Sequence, residues 1–200
     1  MGGGPPAVAR SAMTSIDRRQ PVATLSRAVA AAACLVCVAV ASGWLTAALS
    51  GTALRLNTPF GPGRAVAGTV GGDAWYIARW NLQVALTIVA GVGTLGIFSV
   101  VALAWNGFRL GFGLASIARS CPGLLTFMAA YLPLEFSSLA VVTGATVSIV
   151  INAVRAAASG GALDVRSHAC ALAAAAALLV AAAFVEAYAR HAVSGFVRCP

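Results

Sequence analysis

Five long apolar segments separated by short polar linkers make up most of the chain. A helix that crosses a bilayer needs roughly 20 consecutive, mainly apolar residues. The stretch from Leu82 to Trp105 meets this requirement without a single charged residue, and the other segments are expected to pack around it. The pattern predicts an all-α, polytopic transmembrane helix bundle of about five spans, at about residues 28–49, 82–105, 110–134, 136–154 and 169–188.

The third segment, residues 110–134, is ambiguous because Arg119 and the sequence Cys121-Pro122-Gly123 interrupt it. It fits a tilted and broken span, an interfacial helix followed by a half-span, or a re-entrant pair. Interrupted helices are tolerated at membrane depth where protein or water covers the freed backbone groups. We favour a broken third span. If this segment does not cross the bilayer, the chain has four spans.

Composition supports a membrane protein and disfavours a nucleic-acid binder. The chain is 60% hydrophobic and 9% charged, whereas soluble domains carry about 25% charged residues. The net charge of +8 comes from arginines that stand singly in the linkers, where they anchor topology and contact lipid headgroups. Nucleic-acid binding needs a clustered basic face, so we do not predict that this chain binds nucleic acid. The lipid bilayer is its expected environment.

Three regions follow from this pattern. Residues 1–26, rich in Gly, Pro, Ser and Arg, predict a disordered tail. Residues 27–190 form the transmembrane domain, and 191–200 a short tail.

Arginines before the first span predict a cytoplasmic N-terminus under the positive-inside rule, in a multi-pass protein of the cell (plasma) membrane. Five spans put the C-terminus outside and four put it inside; the arginines do not decide between them.

Aromatic residues gather just before the second span. Trp75, Tyr76 and Trp80 stand beside Asp73 and Arg79. This cluster fits an aromatic belt at the outer membrane interface. It also fits an outward docking surface for a partner, and the sequence leaves both interpretations open.

Two carboxylates in apolar surroundings are the sharpest candidates for function. Charged residues within spans are expensive and usually face the bundle interior, where they are paired. Glu135 fits three roles: an interface or helix-cap residue after Pro133, where an acidic group is favoured; a structural ion pair; or part of an ion or proton pathway. Its candidate partners are Arg119, Asn106 and Arg109. Glu186 is expected at the membrane interface, with Arg190 four residues on as an i,i+4 partner.

Further candidates are a polar residue and a set of glycines. Asn81 opens the second segment and is a polar candidate at its edge. Glycines in apolar helices let backbones approach closely, so they predict helix contacts, self-association and partner helices in the bilayer. The predicted packing glycines are Gly91, Gly93, Gly96, Gly107, Gly111 and Gly144.

Catalytic and cofactor-binding patterns are not found in the sequence. Neither the G-x-S-x-G motif nor a Walker-type Gly-Lys-Ser/Thr occurs. The only histidines are His168 and His191, outside the apolar segments, which leaves no metal-binding set. We therefore expect a protein that is not an enzyme and carries no cofactor or metal.

The middle of the chain resembles the stage II sporulation protein M family of bacterial and archaeal membrane proteins. The matching positions, over about residues 80–190, are Asn81-Leu82, Val84-Ala85, Gly91, Gly93, Gly96, Asn106-Gly107, Leu110-Gly111, Glu135, Ala140, Gly144 and Glu186-Ala187. The family's Pro-His-Gly before the Glu is missing; Ala130-Tyr131-Leu132 stand in its place. A role that rests on that histidine is therefore not carried over.

This resemblance implies two functions. Family members organise a peptidoglycan-remodelling complex in endospore formers, which implies a non-enzymatic scaffold or anchor in a cell-envelope complex. Relatives also occur in organisms that never sporulate, some encoded beside ATP-binding cassette subunits and bacteriocin genes. These neighbours imply the alternative, a permease-like subunit of a peptide or bacteriocin exporter powered by a separate ATPase. Homo-oligomers or other membrane subunits are expected partners.

Overall fold

The computed structural model describes residues 19–50, 68–120, 122–159 and 165–193, together with Leu163. These residues form helices and turns without a β-strand, and the all-α prediction is confirmed. A short 3-10 helix, Gly91–Thr94, lies between the second and third α-helices. The α-helices are α1 (Arg19–Ser50), α2 (Val70–Ala90), α3 (Ile97–Ser120), α4 (Pro122–Ser159) and α5 (Val165–Val193).

The helices run alternately up and down. His191 near the end of α5 contacts Asp73 near the start of α2, and His168 near the start of α5 contacts Ser148 in the second half of α4. Helix α5 is therefore antiparallel to both α2 and α4. The end of α1 meets the end of α3, because Arg119 donates a hydrogen bond to the Ala47 carbonyl. We call the end of the bundle that holds Asp73, His191, Ala47 and Arg119 the Asp73 end. The contact between His168 and Ser148 lies toward the opposite end.

Helix α4 is the centre of the bundle. It packs against all four other α-helices, and 56% of its most apolar window is buried, against 22–33% for the comparable windows of α1, α3 and α5. Apolar side chains from all five helices form the core; its members include Val36, Ile88, Leu103, Leu139 and Leu179. Burial on every side explains why α4 is apolar around most of its circumference.

The predicted span from Leu82 to Trp105 is wrong as one continuous helix. Helix α2 ends at Ala90 and α3 begins at Ile97, and a tight reversal lies between them. Leu95 and Gly96 both have positive φ, 53° and 82°, a conformation that interrupts a right-handed helix. The Ser99 hydroxyl donates to the Ile88 carbonyl at 2.7 Å and joins the two helices beside the turn.

Helix α2 consequently starts much earlier than the sequence pattern indicated. Thr69 caps its N-terminus by accepting a hydrogen bond from the Gly72 amide at 3.2 Å. Residues 70–80, which the pattern placed in a loop, are helical. The aromatic cluster therefore lies on the first three turns of a helix instead of on a linker.

The broken third span predicted for residues 110–134 is also wrong. Helix α3 ends at Ser120 and α4 begins at Pro122, so this segment holds the end of one helix and the start of the next. Pro122 takes the first helical position, which has no intrahelical donor to lose. Cys121 lies outside the described residues. Helix α4 then continues through Pro133 and absorbs the predicted fourth span, residues 136–154.

Within the described part of the chain, four helices are long and apolar enough to cross a membrane: α1, α3, α4 and α5. Helix α2 is 21 residues long, which is about 31 Å at 1.5 Å per residue. That length matches the roughly 30 Å hydrocarbon core, although α2 is not one of the four helices apolar enough to be a candidate span.

The ends of the transmembrane domain differ slightly from the prediction. Helix α1 begins at Arg19, so residues 19–26 are helical instead of part of a disordered tail. Helix α5 continues past residue 190 to Val193. The remaining parts of the two predicted tails, residues 1–18 and 194–200, lie outside the described residues.

Glycines hold α1 close to its neighbours. A Cβ on Gly43 would overlap the Phe108 carbonyl oxygen, and a Cβ on Gly111 would overlap the carbonyl oxygen of Val40. A Cβ on Gly107 would lie 3.0 Å from the Ala39 side chain, and one on Gly144 would lie 2.6 Å from the Val29 backbone. In lipid, helix association depends on such close packing because water drives no apolar burial there.

Candidate functional site

An ion pair on α5 begins the candidate site. The Arg190 guanidinium donates through Nη2 to Oε1 of Glu186, one helical turn away. The i,i+4 pair expected from the sequence is therefore confirmed. The Glu186 side chain is only 8% exposed and that of Arg190 38%, so the carboxylate faces the bundle while the guanidinium reaches toward its edge.

Helix α4 brings a second carboxylate to this pair. Glu135 is half-buried and lies within electrostatic reach of Glu186 and Arg190. Tyr131, one turn earlier on α4, is buried and lies within electrostatic reach of the same three charges. The antiparallel packing of α4 and α5 explains this proximity, since it brings the first third of α4 beside the last third of α5.

Helix α2 completes the site with Asn81. Its side chain is 9% exposed and interacts with the Glu135 carboxyl. The Asn81 Nδ2 atom is buried and has no hydrogen-bond partner of normal geometry among the described residues. We call Asn81, Tyr131, Glu135, Glu186 and Arg190 the polar cluster; it joins α2, α4 and α5.

The charges of the polar cluster do not balance. It contains two carboxylates and one guanidinium, so with both carboxylates ionised one negative charge is left over. Uncompensated charge within a membrane bundle is expensive and marks candidate functional positions. Chemically, the arrangement can hold three helices together through polar contacts, and it can accept one proton or one other positive charge.

A second polar contact lies at the Asp73 end of the same helices. His191 Nε2 is 2.9 Å from Asp73 Oδ2. The contact is an ion pair when the imidazole is protonated and a hydrogen bond when it is neutral. Together with the polar cluster, it fixes α2 against α5 at two heights along the bundle.

The predicted partners of Glu135 lie elsewhere. Arg119 donates to the Ala47 carbonyl at the end of α1. Asn106 donates through Nδ2 to the Ala102 carbonyl at 2.8 Å, within its own helix, and Arg109 is exposed on α3. The predicted pairing is therefore wrong. All three residues lie on α3, which packs mainly against α1 and away from the α2–α5 side.

The helix-cap interpretation of Glu135 is also wrong. Pro133 lies inside α4 instead of before it, so Glu135 is an interior helix residue without access to free N-terminal amides. Proline within a transmembrane helix is tolerated when neighbouring groups satisfy the freed backbone carbonyl. The structural ion pair and the ion-pathway interpretation both remain compatible with its surroundings.

The glycine candidates divide into two groups. Gly107, Gly111 and Gly144 lie at helix contacts with α1. Gly91, Gly93 and Gly96 belong to the reversal between α2 and α3; a Cβ added to Gly91 would meet Ser99, and one added to Gly93 would have no neighbour within 4 Å. The second group therefore shapes a turn, and within it Gly91 also packs closely against α3, because a Cβ there would lie 2.7 Å from the Ser99 backbone nitrogen.

Comparison with protein families shows which family this chain belongs to. The family model described as stage II sporulation protein M matches residues 31–189, which is most of the chain. The chain belongs to the stage II sporulation protein M family. No curated protein and no solved structure matches it. Family membership and the apolar helices together make it a multi-pass membrane protein.

The match to the stage II sporulation protein M family begins within α1 and ends four residues before the end of α5. It includes Asn81, Tyr131, Glu135 and Glu186, and it stops one residue before Arg190. The polar cluster therefore lies almost wholly within the part of the chain that defines membership of this family.

Two features of this family member were not predicted from its sequence. Tyr131 lies four residues before Glu135, a spacing that places both on one helix face and could have indicated their proximity. His168 is 1% exposed and lies 3.0 Å from the Ser148 hydroxyl. No comparable signal in the sequence indicates this second contact, because the partners are on different helices.

The polar cluster does not have the composition of a metal site. Among the described residues, no three His, Cys, Asp or Glu side chains lie close enough together to hold a metal ion. The cluster has two carboxylates, an amide and a phenol. One of the carboxylates, Glu186, already accepts a hydrogen bond from the Arg190 guanidinium.

Proposed function

We propose that this protein is a non-enzymatic scaffold or anchor subunit of a membrane complex in the cell envelope. The observation that carries the proposal is the outward face of α2. Trp75 is 70% exposed and Leu86 68%, and Arg79, Gln83 and Thr87 on the same helix are also exposed. This face mixes large apolar side chains with polar ones.

Lipid is a poor environment for that face. Gln83 lies in the second half of α2, and its amide cannot find hydrogen-bond partners in hydrocarbon, where each unsatisfied polar group is costly. Amide side chains in membranes pair across helices. A protein partner that covers α2 would satisfy Gln83 and use Trp75 as an aromatic anchor.

The packing of the bundle also supports a scaffold. Glycines bring α1 into backbone contact with α3 at Gly43 and Gly111 and with α4 at Gly144. Such contacts leave little room for helices to slide, because closely packed interiors do not deform continuously. A rigid bundle suits a protein that positions others.

We place the scaffold in the plasma membrane with its N-terminus in the cytoplasm. Arg27 near the start of α1, Arg155 near the end of α4 and Arg166 at the start of α5 lie at the bundle end opposite the Asp73 end. Arg155 donates to the Thr24 hydroxyl at 3.1 Å, which brings the α1 and α4 ends together. The Asp73 end carries Arg119 and Arg190, so the opposite end has one arginine more; under the positive-inside rule this excess favours the cytoplasmic side for that end, and the Asp73 end then faces outward.

Substitution Gln83→Leu tests the scaffold proposal. We expect this variant to fold as the wild type does but to lose its partner, because leucine removes the interhelical hydrogen bond that the amide supplies. Co-purification in mild detergent and in nanodiscs, with the partner quantified by mass spectrometry, measures the loss. The control Ser42→Ala removes an exposed hydroxyl on α1 that donates to the Val38 carbonyl and should leave the complex intact. A wild-type protein that is a monodisperse monomer in both media contradicts the proposal.

The alternative is a permease-like subunit of an exporter driven by a separate ATPase. The unbalanced charge of the polar cluster favours it, since Glu135 could carry a proton or an ion. In this alternative, Glu135→Gln abolishes transport while assembly with the ATPase survives. If the protein is a scaffold, the Glu135→Gln variant should keep its partners and its activity. Transport by Glu135→Gln at the wild-type rate would exclude a coupling role for this carboxylate.

A further inference from the structure

The outward face of α3 carries an arginine in the middle of an apolar surface. Val101 is 58% exposed and Trp105 is 59% exposed, and Arg109 follows at the same four-residue spacing and is also exposed. Residues four apart lie on one face of a helix. Arg109 therefore projects from the side of the bundle that α1 and α4 leave uncovered.

Arg109 lies near the middle of α3, at the position farthest from both ends of that helix. Helix α3 comprises 24 residues, from Ile97 to Ser120, and Arg109 stands about 17 Å from either end at 1.5 Å per residue. Half of the hydrocarbon core is about 15 Å, which exceeds the reach of an arginine side chain. Snorkelling from this position does not bring the guanidinium fully to the headgroups.

Arg109 also has no counter-charge within the described part of the chain. No hydrogen bond or ion pair there engages its guanidinium, whereas Arg119, Arg155 and Arg190 each donate to an oxygen of a neighbouring group. Charged residues within spans almost always face a bundle interior and are paired. An exposed, unpaired arginine at mid-depth therefore indicates a surface that is covered in the assembled protein.

We propose that this face of α3 docks a transmembrane helix of a different subunit, which carries an Asp or Glu at mid-depth that pairs with Arg109. The proposal rests on the scaffold function and names the chemistry of one partner. A carboxylate is the group that matches guanidinium geometry, through two parallel hydrogen bonds. Val101 and Trp105 supply the apolar contact around the pair.

The described part of a second copy of this chain does not offer the required group. Among the described residues, Glu186 is paired with Arg190 and Asp73 with His191. Glu135 faces Asn81 and the α5 charges inside the bundle. The two other acidic residues of the chain, Asp17 and Asp164, precede α1 and α5 in the sequence instead of lying within an apolar segment, so we assign the carboxylate that Arg109 needs at mid-depth to another protein.

Photo-crosslinking in native membranes tests this proposal. A benzophenone amino acid at Trp105 is expected to label a partner peptide from a transmembrane helix that contains Asp or Glu. Arg109→Leu should reduce this labelling on the order of tenfold, since truncating one member of a buried charge pair is costly, and Arg109→Lys should retain part of it. Reversing both charges, Arg109→Glu with the partner's carboxylate changed to Arg, should restore labelling. The same amino acid at Phe184, which is 53% exposed on α5, is the control position and should be insensitive to Arg109→Leu.

The contrary results are separable from failure of the scaffold function. Labelling of lipid alone at Trp105, labelling of a second copy, or a partner peptide without a carboxylate would each overturn the Arg109 proposal. A crosslinker at Leu86 on α2 reports on the scaffold independently. A partner labelled there, with lipid alone at Trp105, would overturn the inference and leave the scaffold standing.

Discussion

Substitution Gly111→Ala is expected to lower the free energy of unfolding by about 3 kcal/mol, at the upper end of the usual cost of overpacking. An alanine Cβ at this position would overlap the carbonyl oxygen of Val40. The obstacle is backbone instead of a flexible side chain, so α1 and α3 must move apart to accept the methyl group. That separation would also disturb the neighbouring contact of Gly43 with Phe108.

Thermal unfolding in detergent, followed by circular dichroism, measures this effect. Gly71→Ala is the matched control, because Gly71 is a helical glycine with no atom within 4 Å of an added Cβ. Alanine is favoured over glycine in a helix interior by up to about 1 kcal/mol, so this control should be neutral or slightly stabilising. Equal melting temperatures for the two variants would show that α1 and α3 do not pack as described.

Substitution Arg190→Leu is the second large effect that we expect. It leaves the buried Glu186 carboxylate without its ion-pair partner and leaves two carboxylates in one cluster. Breaking a buried pair from one side costs about 3–5 kcal/mol. Because the Arg190 side chain is 38% exposed, screening by solvent reduces the cost of breaking this pair. We therefore expect the free energy of unfolding to fall by about 2 kcal/mol.

A rescue experiment distinguishes the charge effect from lost packing. Glu186→Gln added to Arg190→Leu removes the stranded charge and should recover most of the lost stability. Arg166→Leu, which removes an exposed arginine from the first turn of α5, controls for a general effect of arginine loss and should change stability little. If the double variant is as unstable as Arg190→Leu alone, the Glu186 charge is not the cause.

Hydrophobic pattern predicted the fold class but not every helix boundary. The run from Leu82 to Trp105 is uniformly apolar, so composition cannot show that it reverses direction. Glycines at 91, 93 and 96 are compatible with close packing in a straight helix and equally with a turn. The positive φ angles of Leu95 and Gly96 decide for the turn, and such angles depend on packing beyond the local sequence.

Residue type predicted the members of the site better than their partners. Asn81, Glu135 and Glu186 stood out because each is polar beside apolar segments, and the structure brings all three together. Arg119 looked like the natural partner of Glu135 because it is near in sequence. The antiparallel packing of α4 and α5 instead brings Glu186 and Arg190 to it, and sequence order carries no information about that contact.

Native mass spectrometry of complexes released from nanodiscs, which were extracted directly from the native membrane, tests the central claim most directly. The scaffold account predicts a defined complex that contains this 20.0 kDa chain together with at least one different membrane protein. Gln83→Leu and Arg109→Leu should each shift that complex toward the free chain. Release of this chain alone, as a single copy or only with copies of itself, would contradict the account.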